Sequence, residues 1–178
     1  NTARPEAKAQ SLAAELLLIH AVRSVYPDAE LPLEIAMGEF GKPELRGIEL
    51  EFSLSHSADM VLCARSSKCV GADIQLRAAY NAALAERFFT KKEAAAIAQA
   101  ADKDRMFTQT WAVKERYLKL RGTGMHRPLS SFDAKCANGC FSIDGAPECL
   151  VSIMELGDYT VAVSALTAEL PEFIEVRL

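Results

Sequence analysis

The chain has 178 residues, half of them apolar, and its 24 acidic and 20 basic side chains leave a formal charge of −4. Such a chain can bury a real core, either as one domain or as two small lobes sharing an interface. Its net charge gives no reason to expect nucleic acid as a partner, and it lacks the run of about eighteen uncharged apolar residues that would announce a membrane span.

A helix is predicted over 7–25, where Leu12, Leu16, Ile19, Val22 and Val25 recur at helical spacing before Pro27 stops the pattern. Glu15 and His20 interrupt its apolar run and no small-residue cleavage pattern follows, so the segment does not read as a secretory signal. A short strand is expected over 32–40 and a turn at Gly41-Lys42-Pro43. Three strand-like runs follow at 49–54, 59–65 and 69–75, with 66–68 read as a tight hairpin joining the second to the third.

After Gln75 the pattern turns helical, at 80–88, 91–101 and 104–120, the last ended by Gly122-Thr-Gly124. Phe107 and Trp111, one turn apart, belong to an apolar stripe and are read as core. A Pro/Ser-rich loop leads to strand-like runs at 140–143, 149–156, 159–165 and 173–178. The stretches 53–66 and 152–164 share a turn-then-strand texture, each beside a helical segment, which fits two similar α+β lobes of unequal length about a central cleft.

The chemistry is carried by acids and lysines. Asp73 ends an apolar run and Glu115 sits in a helical pattern, so two rigid elements offer oxygen ligands, a set suited to Mg2+. Asp73 and Gln75 share a strand face because side chains alternate with period two. Lys91, Lys92, Lys114, Arg116, Lys119 and Arg121 make this region locally basic despite the overall charge. Read without a motif, Asp73 is equally a strand-end acceptor, Glu115 an exposed acid paired with Lys119 at i,i+4, and the lysines a solvated face. Five cysteines, an odd number scattered along the chain, do not form a disulfide scaffold, and a reducing cytoplasm is the simpler setting. Cys136 and Cys140, with Cys149 and His126 as their nearest companions, read as incidental thiols rather than a zinc site.

The ordered blocks Gly41-Lys42-Pro43, Phe52-Ser-Leu-Ser55-His56-Ser57, Gly71-Ala-Asp73-Ile-Gln75, Phe88-Phe89-Thr-Lys-Lys-Glu93, Trp111-Ala-Val-Lys114-Glu115, Lys119 and Gly122-Thr-Gly124 closely resemble the 4'-phosphopantetheinyl transferases of the larger, surfactin-synthetase-activating type. The resemblance is dense over residues 42–125 and is one of layout elsewhere. It implies an α+β fold of two pseudo-twofold-related lobes of antiparallel sheet packed with helices, residues 1–75 and 76–178, with coenzyme A and Mg2+ (or Mn2+) in the cleft between them. The implied activity is transfer of phosphopantetheine from coenzyme A to a serine of an apo carrier protein or carrier domain, of fatty-acid, polyketide, peptide or lysine-pathway type. A cytoplasmic monomer is expected, since both halves of one chain supply the acids.

By the same resemblance Asp73, Glu115 and Gln75 hold the metal. Lys114 and Lys119 contact coenzyme A phosphates, His56 with neighbouring Ser55 attends the 3'-phosphate, and Lys42 lies beside the adenine end. Glu115 or Glu93 is the implied base, with Lys119 stabilising the reacting phosphates. Glu93 also reads as an ordinary first-turn acid after Thr90. Two departures stand out. Gln75 occupies a position usually held by Glu, so the site has an amide where a third carboxylate is expected. The chain also starts almost at its first helix, with Gln10 where an arginine is common and Arg4 and Lys8 as substitutes. A noncatalytic coenzyme A or carrier-protein binding relative is the competing reading. A different nucleotide enzyme would show Walker or Rossmann glycines, and Gly122-Thr-Gly124 follows a helix instead.

Overall fold

The structure, a computed structural model, describes residues 5–146, 149–166 and 171–176. In chain order the elements are α1 (Pro5–Arg23), β1 (Ile35–Met37), β2 (Pro43–Leu45), β3 (Glu51–Ser57), β4 (Met60–Ser66), β5 (Val70–Leu76), α2 (Ala82–Phe88), α3 (Lys91–Gln99), α4 (Lys103–Arg121), β6 (Ala134–Ala137), β7 (Cys140–Ile143), β8 (Ser152–Leu156) and β9 (Tyr159–Ala165). All strand pairs are antiparallel: β1–β2, β3–β4, β6–β7, and a three-stranded sheet ordered β5–β9–β8.

The fold is thus α+β and built twice. A nineteen-residue helix, a small two-stranded hairpin and a longer hairpin follow one another as α1, β1–β2, β3–β4 and again as α4, β6–β7, β8–β9. The two stretches with similar texture in the sequence are the β3–β4 and β8–β9 hairpins. Both turn through two residues, Ala58-Asp59 between paired Ser57 and Met60, and Gly157-Asp158 between paired Leu156 and Tyr159.

Helix α1 covers one side of β3–β4, where Leu18, Val22, Leu50 and Phe52 form a buried cluster. The apolar stripe expected on this helix is rotated from the observed one: Val22 is buried, but Leu12 and Leu16 are exposed, and Leu18 and Ala21 complete the inward face. Met60, Leu62 and Ala64 of β4 pack on a second cluster formed by Val70, Ala72 and Ile74 of β5 with Val161 and Val163 of β9. Helix α4 covers the opposite face of that sheet. Gly71 permits the approach, because a Cβ there would come within 2.3 Å of the Arg116 carbonyl oxygen and 2.4 Å of the Leu120 nitrogen.

The connection at 66–68 is not a hairpin between partners. Among the described residues strand β4 pairs with β3 alone, and β5 pairs with β9. Strand β5, at the end of the stretch read as the first lobe, therefore ladders with the second half. Its other edge runs beside β3, and there serine side chains replace a backbone ladder. The Ser53 hydroxyl accepts from Ala72 N–H at 3.0 Å and donates to Ala72 O at 3.4 Å, Ser55 accepts from Ile74 N–H at 3.3 Å, and Ser57 accepts from Leu76 N–H at 2.9 Å. Three serines at period two match three amides at period two, so the unpaired edge of β5 is satisfied where it is buried.

Helix α4 starts at an Asp102 N-cap and ends at Gly122 in the left-handed region, φ 66°. Helix α3 opens with a capping box between Thr90 and Glu93. The strand expected over 173–178 is absent among the described residues 171–176. Cys136 faces Phe141 and Cys140 faces Ala137 across the β6–β7 ladder, so the two thiols project from opposite faces and cannot share an ion. Burial pushes the Cys63 thiol up to about 12, which keeps it inert.

Candidate active site

The site forms where β5 lies against α4. Asp73 and Gln75 alternate onto the α4 side of β5, and Glu115 and Lys119, at i and i+4, share one face of the helix. Asp73 is 2% exposed. Its Oδ1 accepts from Lys119 Nζ at 2.7 Å and from the Ser55 hydroxyl at 2.7 Å, while Oδ2 accepts from Gln75 Nε2 at 2.8 Å. Glu115 is half-buried. Burial first, and the Asp73 charge second, hold its carboxyl above the usual range, and Lys119 pulls the other way. The structure therefore brings together Asp73, Gln75, Glu115 and Lys119 from the two elements that the sequence singled out.

Among the described residues no group of three or more His, Cys, Asp or Glu side chains is placed to hold a metal ion. The donor set here is two carboxylates and one amide. It is all hard oxygen, its two acids repel, and both features fit a hydrated divalent cation. The Gln75 amide turns its nitrogen to Asp73, so its own contribution in this state is a hydrogen bond to the acid.

Lys114 and Glu93 require correction. Lys114 is fully buried and Glu93 is 6% exposed. The Lys114 ammonium donates to Glu93 Oε1 at 2.5 Å, to Glu93 Oε2 at 2.8 Å and to Phe132 O at 2.5 Å, which uses its three donors, and it also lies 4.4 Å from the Phe132 ring centroid. Glu93 additionally accepts from Thr90 N–H at 2.8 Å and Ala134 N–H at 2.6 Å. Neither side chain is free to meet a phosphate or a substrate hydroxyl. The cause is helical geometry: Lys114 stands about 100° around α4 from Glu115, so adjacent residues face different surroundings. Desolvation lowers the Lys114 pKa, opposed by its hydrogen bond to Glu93.

Ser55 and His56 also part company. Consecutive residues of a strand point to opposite faces, and Ser55 turns to Asp73 while His56 is exposed on the side that α1 covers. In this structure the two side chains therefore share no partner: the Ser55 hydroxyl meets Asp73 and Ile74, and His56 faces away from them. The N-terminal part of α1 reaches the same region, since Gln10 Nε2 donates to Ala58 O at 2.8 Å. Arg4 lies outside the described residues.

Lys42 is half-buried, 3.2 Å from Glu51 Oε2, with Nζ 3.5 Å from Val70 O. Its stem runs along Gly122, where a Cβ would be 3.4 Å from Lys42 Cδ, and Phe40 and His126 bring their ring centroids within 5.7 Å. The glycine-bearing segments 41–43 and 122–124, far apart in sequence, thus meet at one end of the site. Sequence reasoning missed Phe40 here and weighed His126 only as a zinc ligand. Both are exposed rings with no local pattern to mark them.

Comparison with known proteins places this geometry. A family model described as the 4'-phosphopantetheinyl transferase superfamily matches residues 69–163, a span that contains Asp73, Gln75, Glu115 and Lys119. The chain is 30% identical over 174 residues to the 4'-phosphopantetheinyl transferase Sfp of Bacillus subtilis (strain 168), covering 93% of this chain and 77% of that protein. It is 32% identical over 178 residues to the 4'-phosphopantetheinyl transferase psf-1 of Bacillus pumilus, covering 94% of this chain and 75% of that protein. The structure also overlaps part of the crystal structure of Thermotoga maritima holo-acyl-carrier-protein synthase, with TM-score 0.46 and 20% identity over 53% of this chain and 60% of that one. No helix among the described residues is long and apolar enough to cross a membrane. With acids on β5 and α4 inside the matched span, and with relatives aligned along nearly the whole chain, the protein belongs to the 4'-phosphopantetheinyl transferase superfamily.

Proposed function

We propose that this chain transfers the 4'-phosphopantetheine group of coenzyme A to a serine of an apo carrier protein, as a single-chain enzyme of the larger, surfactin-synthetase-activating type. The observation that carries the proposal is the meeting of Asp73 and Glu115, from opposite halves of the chain, beside Lys119. Asp73 and Glu115 would hold Mg2+, with Gln75 contributing its amide or an ordered water. Bound there, the ion would neutralise charge on the pyrophosphate oxygens.

The protein's own groups supply the rest. Glu115 accepts the proton of the carrier serine hydroxyl as that oxygen attacks the β-phosphorus of coenzyme A. A new phosphorus–oxygen bond forms, the bond to the bridging pyrophosphate oxygen breaks, and adenosine 3',5'-bisphosphate departs with the bonding electron pair. Lys119, half-exposed and held by Asp73, donates to a phosphate oxygen as charge develops there. His56 and Lys42 serve the nucleotide end. Lys114 and Glu93 keep α3, α4 and the segment before β6 in place and take no part in the step.

Intact-mass measurement of an apo carrier protein after incubation with coenzyme A, Mg2+ and the enzyme tests the proposal. The carrier should gain one phosphopantetheinyl group, and Glu115→Gln should abolish the gain while coenzyme A still binds. A noncatalytic binding relative would bind coenzyme A or carrier and leave the carrier mass unchanged with the wild-type protein.

A further inference from the structure

Ser55 is 7% exposed in the middle of β3, and its hydroxyl has two partners on β5: it accepts from Ile74 N–H at 3.3 Å and donates to Asp73 Oδ1 at 2.7 Å. The first contact directs the second. A hydroxyl has one proton, and an oxygen already facing a backbone N–H turns that proton toward the acceptor in reach, here a carboxylate. The neighbouring serines of the row do something different: among the described residues Ser53 and Ser57 bond backbone groups, of Ala72 and Leu76. Of the three donors on Asp73, Lys119 and Gln75 are long and half-exposed, whereas Ser55 has one side-chain torsion and is rooted in a buried strand.

We infer that Ser55 is a positioning residue for Asp73: it fixes the orientation from which the carboxylate ligates a divalent cation. The role of Asp73 as a ligand rests on the transferase reading above; the contact itself does not. Hydrogen-bond partners of ligating carboxylates set their orientation, and losing one costs about 10–100-fold in metal affinity. The sequence placed Ser55 beside His56 on a phosphate, but the pleat of β3 separates them and gives Ser55 to the acid.

The test is titration of the protein with Mn2+ alone, followed by electron paramagnetic resonance, for the wild type, Ser53→Ala, Ser55→Ala, Ser55→Thr and Ser57→Ala. Ser55→Ala should weaken Mn2+ binding by about tenfold or more, Ser55→Thr should keep it, and Ser53→Ala and Ser57→Ala should lower the melting temperature with Mn2+ affinity unchanged. If Ser55→Ala does not fold, Ser55→Cys, with its weaker donor, carries the same comparison. Equal Mn2+ affinity in Ser55→Ala and the wild type, equal losses in all three alanine variants, or no Mn2+ binding by the wild type would overturn the inference. So would a Ser55→Ala protein that keeps Mn2+ but loses affinity for coenzyme A and not for 3'-dephospho-coenzyme A, because the hydroxyl would then serve the 3'-phosphate. Ser55-dependent Mn2+ binding in a wild-type protein that transfers nothing would support this inference and remove the transferase reading.

Discussion

Lys114 and Lys119 stand on the same helix, and each pairs with a carboxylate brought by another element, Glu93 of α3 and Asp73 of β5. The first pair is closed: the lysine is buried, its donors are used, and the acid also takes two backbone amides. The second is open: Lys119 is 29% exposed at its side chain, and Glu115 stands beside the pair with its carboxyl held above the usual range. A saturated pair gives a defined position to three pieces of backbone. An unsaturated one, with two acids and one lysine, leaves charge for a cation and a phosphate to answer. The same residue types, five positions apart on one helix, therefore form a structural pair at one place and, on the proposed function, a working pair at the other.

The comparison breaks most sharply at Glu115. Glu115→Gln should lower the transfer rate by roughly 10²–10⁴-fold, with coenzyme A binding retained, as read by single-turnover transfer beside calorimetric titration. In the wild type with Mg2+ the rate should fall in acid, since the proton acceptor must be ionised, and the bound cation places that fall at lower pH than the metal-free carboxyl would give. Stability has the opposite sign. A carboxyl that holds its proton more tightly in the folded state favours folding at low pH, and this contribution is lost as pH rises through the raised value. In chelator-treated protein Glu115→Gln should therefore melt above the wild type at neutral pH, and that advantage should disappear in acid.

At the closed pair, Lys114→Met should cost about 3–5 kcal/mol of folding stability, because it strands a buried carboxylate. Urea denaturation measures this. Adding Glu93→Gln should recover only part of the loss, since Glu93 also caps Thr90 and Ala134 N–H groups. A smaller effect is expected at Gln75, where Gln75→Glu should tighten Mg2+ binding by supplying a third carboxylate; superimposable Mg2+ titrations would place residue 75 outside the metal's surroundings.

The smallest effect sharpens the likeness of the two halves. Ala58 turns the β3–β4 hairpin at φ 47°, where β8–β9 uses Gly157 at φ 59°. A left-handed alanine is strained, and Ala58→Gly should stabilise the protein by about 1 kcal/mol after the entropic cost of glycine, read as a shift in the denaturation midpoint.

Much of the fold is legible in local pattern. Helix α4 runs from Lys103 to Arg121 against an expected 104–120, because an Asp N-cap and a glycine stop mark its ends, and β9 is found at Tyr159–Ala165 as read from its alternation. Pairing is another matter. Tight connection of 66–68 suggested a hairpin, yet β5 joins β9 across nearly ninety residues, and nothing local records a long-range partner. The alternation of Phe52, Leu54 and His56 with Ser53, Ser55 and Ser57 describes a strand with a polar face, and polar faces ordinarily meet water. Here that face meets the edge of β5 and satisfies it. Order along the chain likewise singled out Asp73, Glu115 and Lys119, which the structure brings together, but it could not separate Lys114 from Glu115. Only the angle around the helix, and what each side then touches, does that.

The most direct test sets the two lysines against each other in the carrier-mass assay. Wild type, Lys119→Met and Lys114→Met are each incubated with coenzyme A, Mg2+ and apo carrier protein at a temperature where circular dichroism shows all three folded. The account predicts that the wild type and Lys114→Met modify the carrier while Lys119→Met, though folded, modifies little or none. Transfer by Lys119→Met at the wild-type rate, or its loss in folded Lys114→Met, would contradict the division of the helix into a structural pair and a working one.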